Sequence, residues 1–226
     1  MNVRIYPGRA CGTVAAPPSK SMAHRLLICA GLSAGTSRIR GLAYNEDILA
    51  TLDCLRALGA VCTIEGDTVT VTGTDPRKAA PAEPLRCRES GSTLRFFLPL
   101  ALLCGKPVTL TGTRKLLSRP LGIYEQLCAE KGFSFHRQET GLQVQGTLTG
   151  GTFSLPGDVS SQFITGLLFA LPLAQTDSCI RITTALESAS YIELTLQALR
   201  RFGITAHWQD NQTLMIPAIS STDPRS

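Results

Sequence analysis

Charge is scarce in this sequence, and so are aromatic rings: 17% of its 226 residues are Asp, Glu, Lys or Arg, and 6% are Phe, Trp or Tyr. With 43% hydrophobic residues, that balance excludes a disordered chain, which needs more charge and fewer aliphatic side chains. Long apolar runs are missing too. The longest, around Phe163 to Leu173, is too short and too interrupted to span a bilayer, so no membrane partner is expected. No basic segment leads into an apolar one behind Met1-Asn2-Val3-Arg4, which speaks against a secretory signal; the expectation is a cytoplasmic protein. Lys/Arg runs and basic–aromatic interleaving are also absent. A formal net charge of +5 therefore permits an anionic ligand without implying nucleic acid.

The eight cysteines stand at 11, 29, 54, 62, 87, 104, 128 and 179, never as CxxC, so zinc-ribbon and thioredoxin readings fail. Most lie among apolar neighbours, as in Leu27-Ile28-Cys29 and Leu102-Leu103-Cys104, and read as reduced, buried small hydrophobes. HxH, HExxH and carboxylate clusters do not occur, so neither a tightly held metal nor a cofactor is expected. A Walker A pattern is missing, and no serine has clear His and Asp partners.

What is present is a repeat of roughly 71 residues, written three times. Its first mark is a helix start: Ser19-Lys20-Ser21-Met22-Ala23-His24-Arg25, then Ser90-Gly91-Ser92-Thr93-Leu94-Arg95, then Ser160-Ser161-Gln162-Phe163. Each helix runs on into a short strand, at 36–39, 107–110 and 178–182. A second helix follows at 47–58, 121–130 and 191–201, stopped by Gly59, Gly132 and Gly203, where glycine tolerates the positive φ of a C-cap. Two alternating runs then read as a hairpin with one buried face. With a strand leading into each first helix, the unit is βαβαββ. The apolar first helices predict an α+β fold, with helices packed into a shared core and sheets outward. The expected boundaries are 11–80, 81–151 and 152–217. Residues 1–10, with a strand at Asn2 to Tyr6, fall outside the pattern, and 218–226 read as a linker or truncated tail.

The chemistry gathers at the helix starts. Lys20 lies where orphan amides already favour an anion, and Arg25, four residues past Ser21, faces the same side. That set suits phosphate or carboxylate; the plain alternative is a capped helix with two solvated cations. Glu89-Ser90-Gly91-Ser92-Thr93-Leu94-Arg95 allows close backbone approach in the second unit, and Ser160-Ser161-Gln162 offers hydroxyls and an amide in the third. Ser118-Arg119-Pro120 and Ser188-Ala189-Ser190-Tyr191 precede second helices, as Tyr44-Asn45-Glu46-Asp47 does in the first unit, and symmetry puts them at the same end. His24, His136 and His207 carry no clear role. A general acid–base pair is missing.

Pro18-Ser19-Lys20-Ser21-Met22-Ala23-His24-Arg25, Gly91-Ser92-Thr93-Leu94-Arg95, Arg119-Pro120 and Ser160-Ser161-Gln162-Phe163 together resemble the successive signatures of the 5-enolpyruvylshikimate-3-phosphate synthases, within the enolpyruvyl transferase family. The resemblance implies one domain of an inside-out α/β barrel made from two domains of three βαβαββ units each. It also implies transfer of the enolpyruvyl group of phosphoenolpyruvate to the 5-hydroxyl of shikimate 3-phosphate, in the shikimate pathway of aromatic amino acid biosynthesis. By the same resemblance Lys20 and Arg119 contact phosphoenolpyruvate as the catalytic cations, with Gly91 beside the enolpyruvyl position. Ser21, Arg25, Ser160, Ser161, Gln162, Ser188 and Tyr191 surround shikimate 3-phosphate. Family members run to about twice this length, so a missing C-terminal domain or complementary half is the expected partner, and this chain alone is expected to bind substrate without turnover. Two departures stand out: Glu89-Ser90 replaces a common Asn-Ala, and Ala189-Ser190 a common Lys-Pro. The competing readings are a UDP-N-acetylglucosamine enolpyruvyl transferase and a non-catalytic anion-binding domain.

Overall fold

The computed structural model describes residues 3–4, 6–9 and 11–219. Helix α1 (Lys20–Leu32) starts where the Ser19 hydroxyl accepts from the Met22 N–H at 3.3 Å, so Ser19 is its cap. The first unit continues through β1 (Thr36–Ile39), α2 (Glu46–Ala57), β2 (Val61–Glu65) and β3 (Thr68–Thr72). The second comprises β4 (Leu85–Arg86), α3 (Gly91–Ala101), β5 (Val108–Thr111), the short α4 (Arg114–Leu117), α5 (Gly122–Lys131), β6 (Ser134–Arg137) and β7 (Gly141–Gln145). The third comprises β8 (Gly151–Leu155), α6 (Ser161–Ala170), β9 (Ser178–Ile182), α7 (Ala189–Arg201), β10 (His207–Trp208) and β11 (Thr213–Ile216).

Helix, strand, helix and hairpin thus recur in the order that the repeat predicts. The second and third sheets share one design, β4-β5-β7-β6 and β8-β9-β11-β10, with the first pair parallel and the others antiparallel. Among the described residues the sheets stay separate and do not close into a barrel. Each turns one face to the helices: along β5, Val108 and Leu110 are buried while Thr109 and Thr111 are half-exposed.

The first unit departs from the pattern. Among the described residues its sheet has three strands, β1-β3-β2, and residues 12–16 run exposed and unpaired into α1, with Val14 90% exposed. Glycine and alanines there offer little apolar surface to bury, and Pro17 and Pro18 have no N–H to give a ladder. The strand expected at Asn2 to Tyr6 lies partly outside the described residues; Val3, Arg4 and Tyr6 are in no strand. At the other end Ala218 N–H donates to Asp177 at 2.8 Å and Ile219 N–H to the Pro172 carbonyl at 2.8 Å, so these two residues are tied down. The rest of the expected tail, 220–226, lies outside the described residues.

One contiguous core holds the helices, and a proline organises its centre. Pro99 sits inside α3 and lacks the N–H that would bond the Arg95 carbonyl four residues back. The Tyr124 hydroxyl, from α5, supplies the donor instead, 2.9 Å from the Arg95 carbonyl and 2.9 Å from that of Phe163 on α6. Helix α6 approaches so closely here that a Cβ on Gly166 would collide with the Arg95 carbonyl and the Tyr124 hydroxyl. A buried glycine thus brings the first helices of units two and three together. No helix among the described residues is long and apolar enough to cross a membrane.

Candidate functional site

The same packing aims several helix N-termini at one place. An open pocket of about 330 Å³ is lined from α1 by Lys20, Ser21 and Arg25, from α6 and its cap by Ser160, Ser161 and Gln162, and from the start of α7 by Ser188 and Tyr191. His24, Ser92 and Phe96 complete it, and the sequence reading assigned none of these three to a site. His24 follows Lys20 by four residues and so shares its helix face, which is the signal that could have found it. The Ser160 hydroxyl caps α6 through the Gln162 N–H at 3.3 Å, whereas the Ser188 hydroxyl caps nothing.

Arg25 is not a solvated cation. Only 4% of it is exposed, and its guanidinium donates to Thr195 Oγ1 at 2.8 Å, to the Ser21 carbonyl at 2.8 Å and to the Tyr191 carbonyl at 3.1 Å. The rings of Phe96 and Tyr191 flank it at 5.6 and 5.8 Å. Burial pushes the guanidinium down to about 10, only partly countered by Tyr191 and Cys29. Among the described residues no carboxylate pairs with it, so the pocket holds a desolvated positive charge toward any anion. Lys20, by contrast, is exposed and donates to Asp47 Oδ2 at 2.8 Å. Burial works to raise the Asp47 carboxyl, but hydrogen bonds from Lys20 and Ser90 outweigh it and hold the carboxyl below its ordinary value. Asp47 lies in the stretch that repeat symmetry put at this end, though no role was read for it.

Gly91 and Arg119 stand outside this pocket lining but side by side. A Cβ on Gly91 would collide with Arg119 Nη1, so the glycine makes room for the guanidinium. Arg95 also lies outside the lining; it donates to Gln162 Oε1 at 2.6 Å and sits near Arg119. Ser118 donates to the Lys115 carbonyl at 3.0 Å, closing α4.

Burial pushes the His24 imidazole down to about 3, against the attraction of Asp47. Its Nε2 lies 3.5 Å from Thr93 Oγ1, and its ring stacks at a tilt on Phe96, centroids 4.9 Å apart. In the unfolded chain the ring titrates at about 6.5. Between those values the unfolded state binds the extra proton, so stability is full above the upper value and falls as pH drops toward the lower one. The slope reaches about 1.4 kcal/mol per pH unit. In urea titrations run between about pH 7 and 5, His24→Gln is expected to lose stability less steeply on acidification than the parent. Identical slopes would mean that His24 takes up its proton without unfolding.

Fold and site together define a class: a three-unit α+β domain whose helix N-termini and cations converge on a hydroxyl-rich pocket. The EPSP synthase (3-phosphoshikimate 1-carboxyvinyltransferase) family model matches residues 6–223, and the chain belongs to that family. Over 224 residues it is 42% identical to the 3-phosphoshikimate 1-carboxyvinyltransferase of Clostridium perfringens strain SM101, covering 98% of this chain and 53% of the relative. A Clostridium botulinum 3-phosphoshikimate 1-carboxyvinyltransferase (strain Alaska E43) is 45% identical over 207 residues, covering 89% of this chain and 48% of its own length. The chain thus spans about half the length of the curated relatives it matches. An EPSP synthase from Acinetobacter baumannii has the same fold, with a TM-score of 0.78 at 24% identity over 92% of this chain and 48% of that one.

Proposed function

We propose that these residues form the shikimate 3-phosphate-binding half of an enzyme that transfers the enolpyruvyl group of phosphoenolpyruvate to the 5-hydroxyl of shikimate 3-phosphate, releasing phosphate. The observation that carries this reading is the convergence of Lys20, Ser21, Arg25, Ser160, Ser161, Gln162, Ser188 and Tyr191 on one pocket, with Gly91 and Arg119 paired beside it. A phosphorylated ring bearing hydroxyls offers the acceptors and donors that such a lining matches. In this reading Lys20 and Arg119 hold the phosphoenolpyruvate anion. Protonation at its C3 leaves C2 electron-poor, the 5-hydroxyl adds there as it loses its proton, and the tetrahedral intermediate then gives up a C3 proton as phosphate leaves, which restores the double bond. The cations act by positioning and by neutralising charge.

The pocket lining carries no carboxylate to move those protons. The acid–base groups are accordingly assigned to the remaining half of the length that the relatives have. A cytoplasmic location goes with this reading, supported by buried free thiols such as Cys54 and Cys87, which share an S–H···S contact at 4.0 Å.

Calorimetry on the 226-residue chain tests it. Shikimate 3-phosphate is expected to bind, UDP-N-acetylglucosamine not to, and no phosphate to be released from phosphoenolpyruvate until a complementary half is supplied. Preference for the UDP-sugar would transfer the assignment to the other branch of the enolpyruvyl transferases. Binding of neither ligand would overturn the reading.

A further inference from the structure

We propose that Arg95 is a positioning residue: it fixes the direction of the Gln162 side-chain amide, so that Gln162 meets the pocket's ligand as a hydrogen-bond donor. This rests on the reading that the pocket takes shikimate 3-phosphate. Arg95 contributes nothing to the pocket lining, while Gln162 does. Between them runs the short contact from Arg95 Nη1 to Gln162 Oε1, 2.6 Å. A guanidinium has five donors and no acceptor, so the amide can only turn its oxygen toward it. The amide NH2 is then the group left to face the pocket. A ligand oxygen with lone pairs, on phosphate or on a ring hydroxyl, is the matching partner.

Arg95 is fastened well enough to impose that choice. Its backbone carbonyl is held by the Tyr124 hydroxyl, and its guanidinium lies 5.0 Å over the Phe163 ring. Nη2 donates to the Pro120 carbonyl at 3.3 Å, one residue from Arg119. The same side chain therefore braces the loop that carries the second proposed ligand contact. The arrangement carries a cost. Arg95 Nε is buried without a hydrogen-bond partner, and burial together with the charge of Arg119 makes the guanidinium a weaker base. A surface arginine free to reach solvent would avoid both penalties.

The experiment is a double-mutant cycle on the 226-residue chain, read by calorimetry with shikimate 3-phosphate. Arg95→Ala and Gln162→Ala are each expected to weaken binding about tenfold, and the double variant to bind about as weakly as Gln162→Ala alone. Gln162→Glu keeps an acceptor for Arg95 and deletes the donor. It is expected to fold as the parent does and to lose affinity by about a hundredfold or more. Fully additive losses, or parent-like affinity in Gln162→Glu, would overturn the proposal. An NMR readout needs no ligand: the two Gln162 amide protons should resonate away from random-coil positions in the parent and move to them in Arg95→Ala. A parent chain that binds no ligand yet shows this change would sink the functional reading and leave the Arg95 contact standing. An amide signal indifferent to Arg95→Ala would overturn the contact itself.

Discussion

Replacing Arg25 by methionine is expected to weaken shikimate 3-phosphate binding by about a hundredfold or more while leaving the chain at least as stable as before. The loss follows from removing a charge-assisted donor set, worth about 1.5–3 kcal/mol per contact to an anion. The stability half of the prediction comes from how Arg25 is housed. Its guanidinium is desolvated without a counter-ion among the described residues, which costs folding energy until a ligand arrives. None of its acceptors would be orphaned. Tyr191 O also accepts from Thr195 Oγ1 at 2.9 Å, Thr195 Oγ1 lies 3.2 Å from Thr165 Oγ1, and Ser21 O belongs to the ladder of α1. Methionine has the length and flexibility to fill the space between Phe96 and Tyr191, and replacing a buried charge by an apolar side chain of similar volume is often neutral or stabilising. Calorimetry and thermal melts check the two halves separately. A lowered melting temperature with binding intact would make Arg25 a structural strut. Arg25→Lys is not expected to restore affinity, because an ammonium cannot reach Thr195, Ser21 and Tyr191 at once as the planar fork does.

Gly91→Ala should act on the other ligand. Gly91 is the first residue of α3 and its φ is not positive, so an alanine meets no backbone strain there and improves helix propensity. Its Cβ would, however, take the space of Arg119 Nη1, with Arg119 Cζ at 3.4 Å. Arg119 is exposed, so the guanidinium swings away without unfolding anything. Phosphoenolpyruvate titrated into the chain saturated with shikimate 3-phosphate is expected to bind at least about tenfold more weakly. The affinity for shikimate 3-phosphate should be unchanged, since neither residue lines its pocket. Parent-like phosphoenolpyruvate affinity would remove Arg119 from the proposed site.

Both predictions depend on features that were only half legible in the sequence. The helix starts at Ser19, Ser90 and Ser160 were readable because capping is decided within a few residues, and each of these hydroxyls accepts a first-turn N–H in the structure. The glycine stops were readable for the same local reason; Gly132, for example, closes α5 with φ at 70°. Where local rules met a context they do not contain, the reading slipped. The repeat called for a strand ahead of α1, and the composition of 12–18 did not supply one. The first strand of the third hairpin is only His207–Trp208, because the chain is still turning away from α7 at Gly203, where φ is 77°.

The sequence by itself determined the order of elements, the three helix starts and the kind of chemistry gathered at them, since these follow from spacing, capping and side-chain type within short stretches. Only the tertiary structure decided what each charge does. Lys20 meets Asp47 across 27 residues, Arg95 meets Gln162 across 67, and Arg25 meets Thr195 across 170. A repeat says that such residues share one end of a domain. Which of them touch, and which are stripped of water, depends on how closely the helices pack. That was set by a missing N–H at Pro99 and a missing side chain at Gly166.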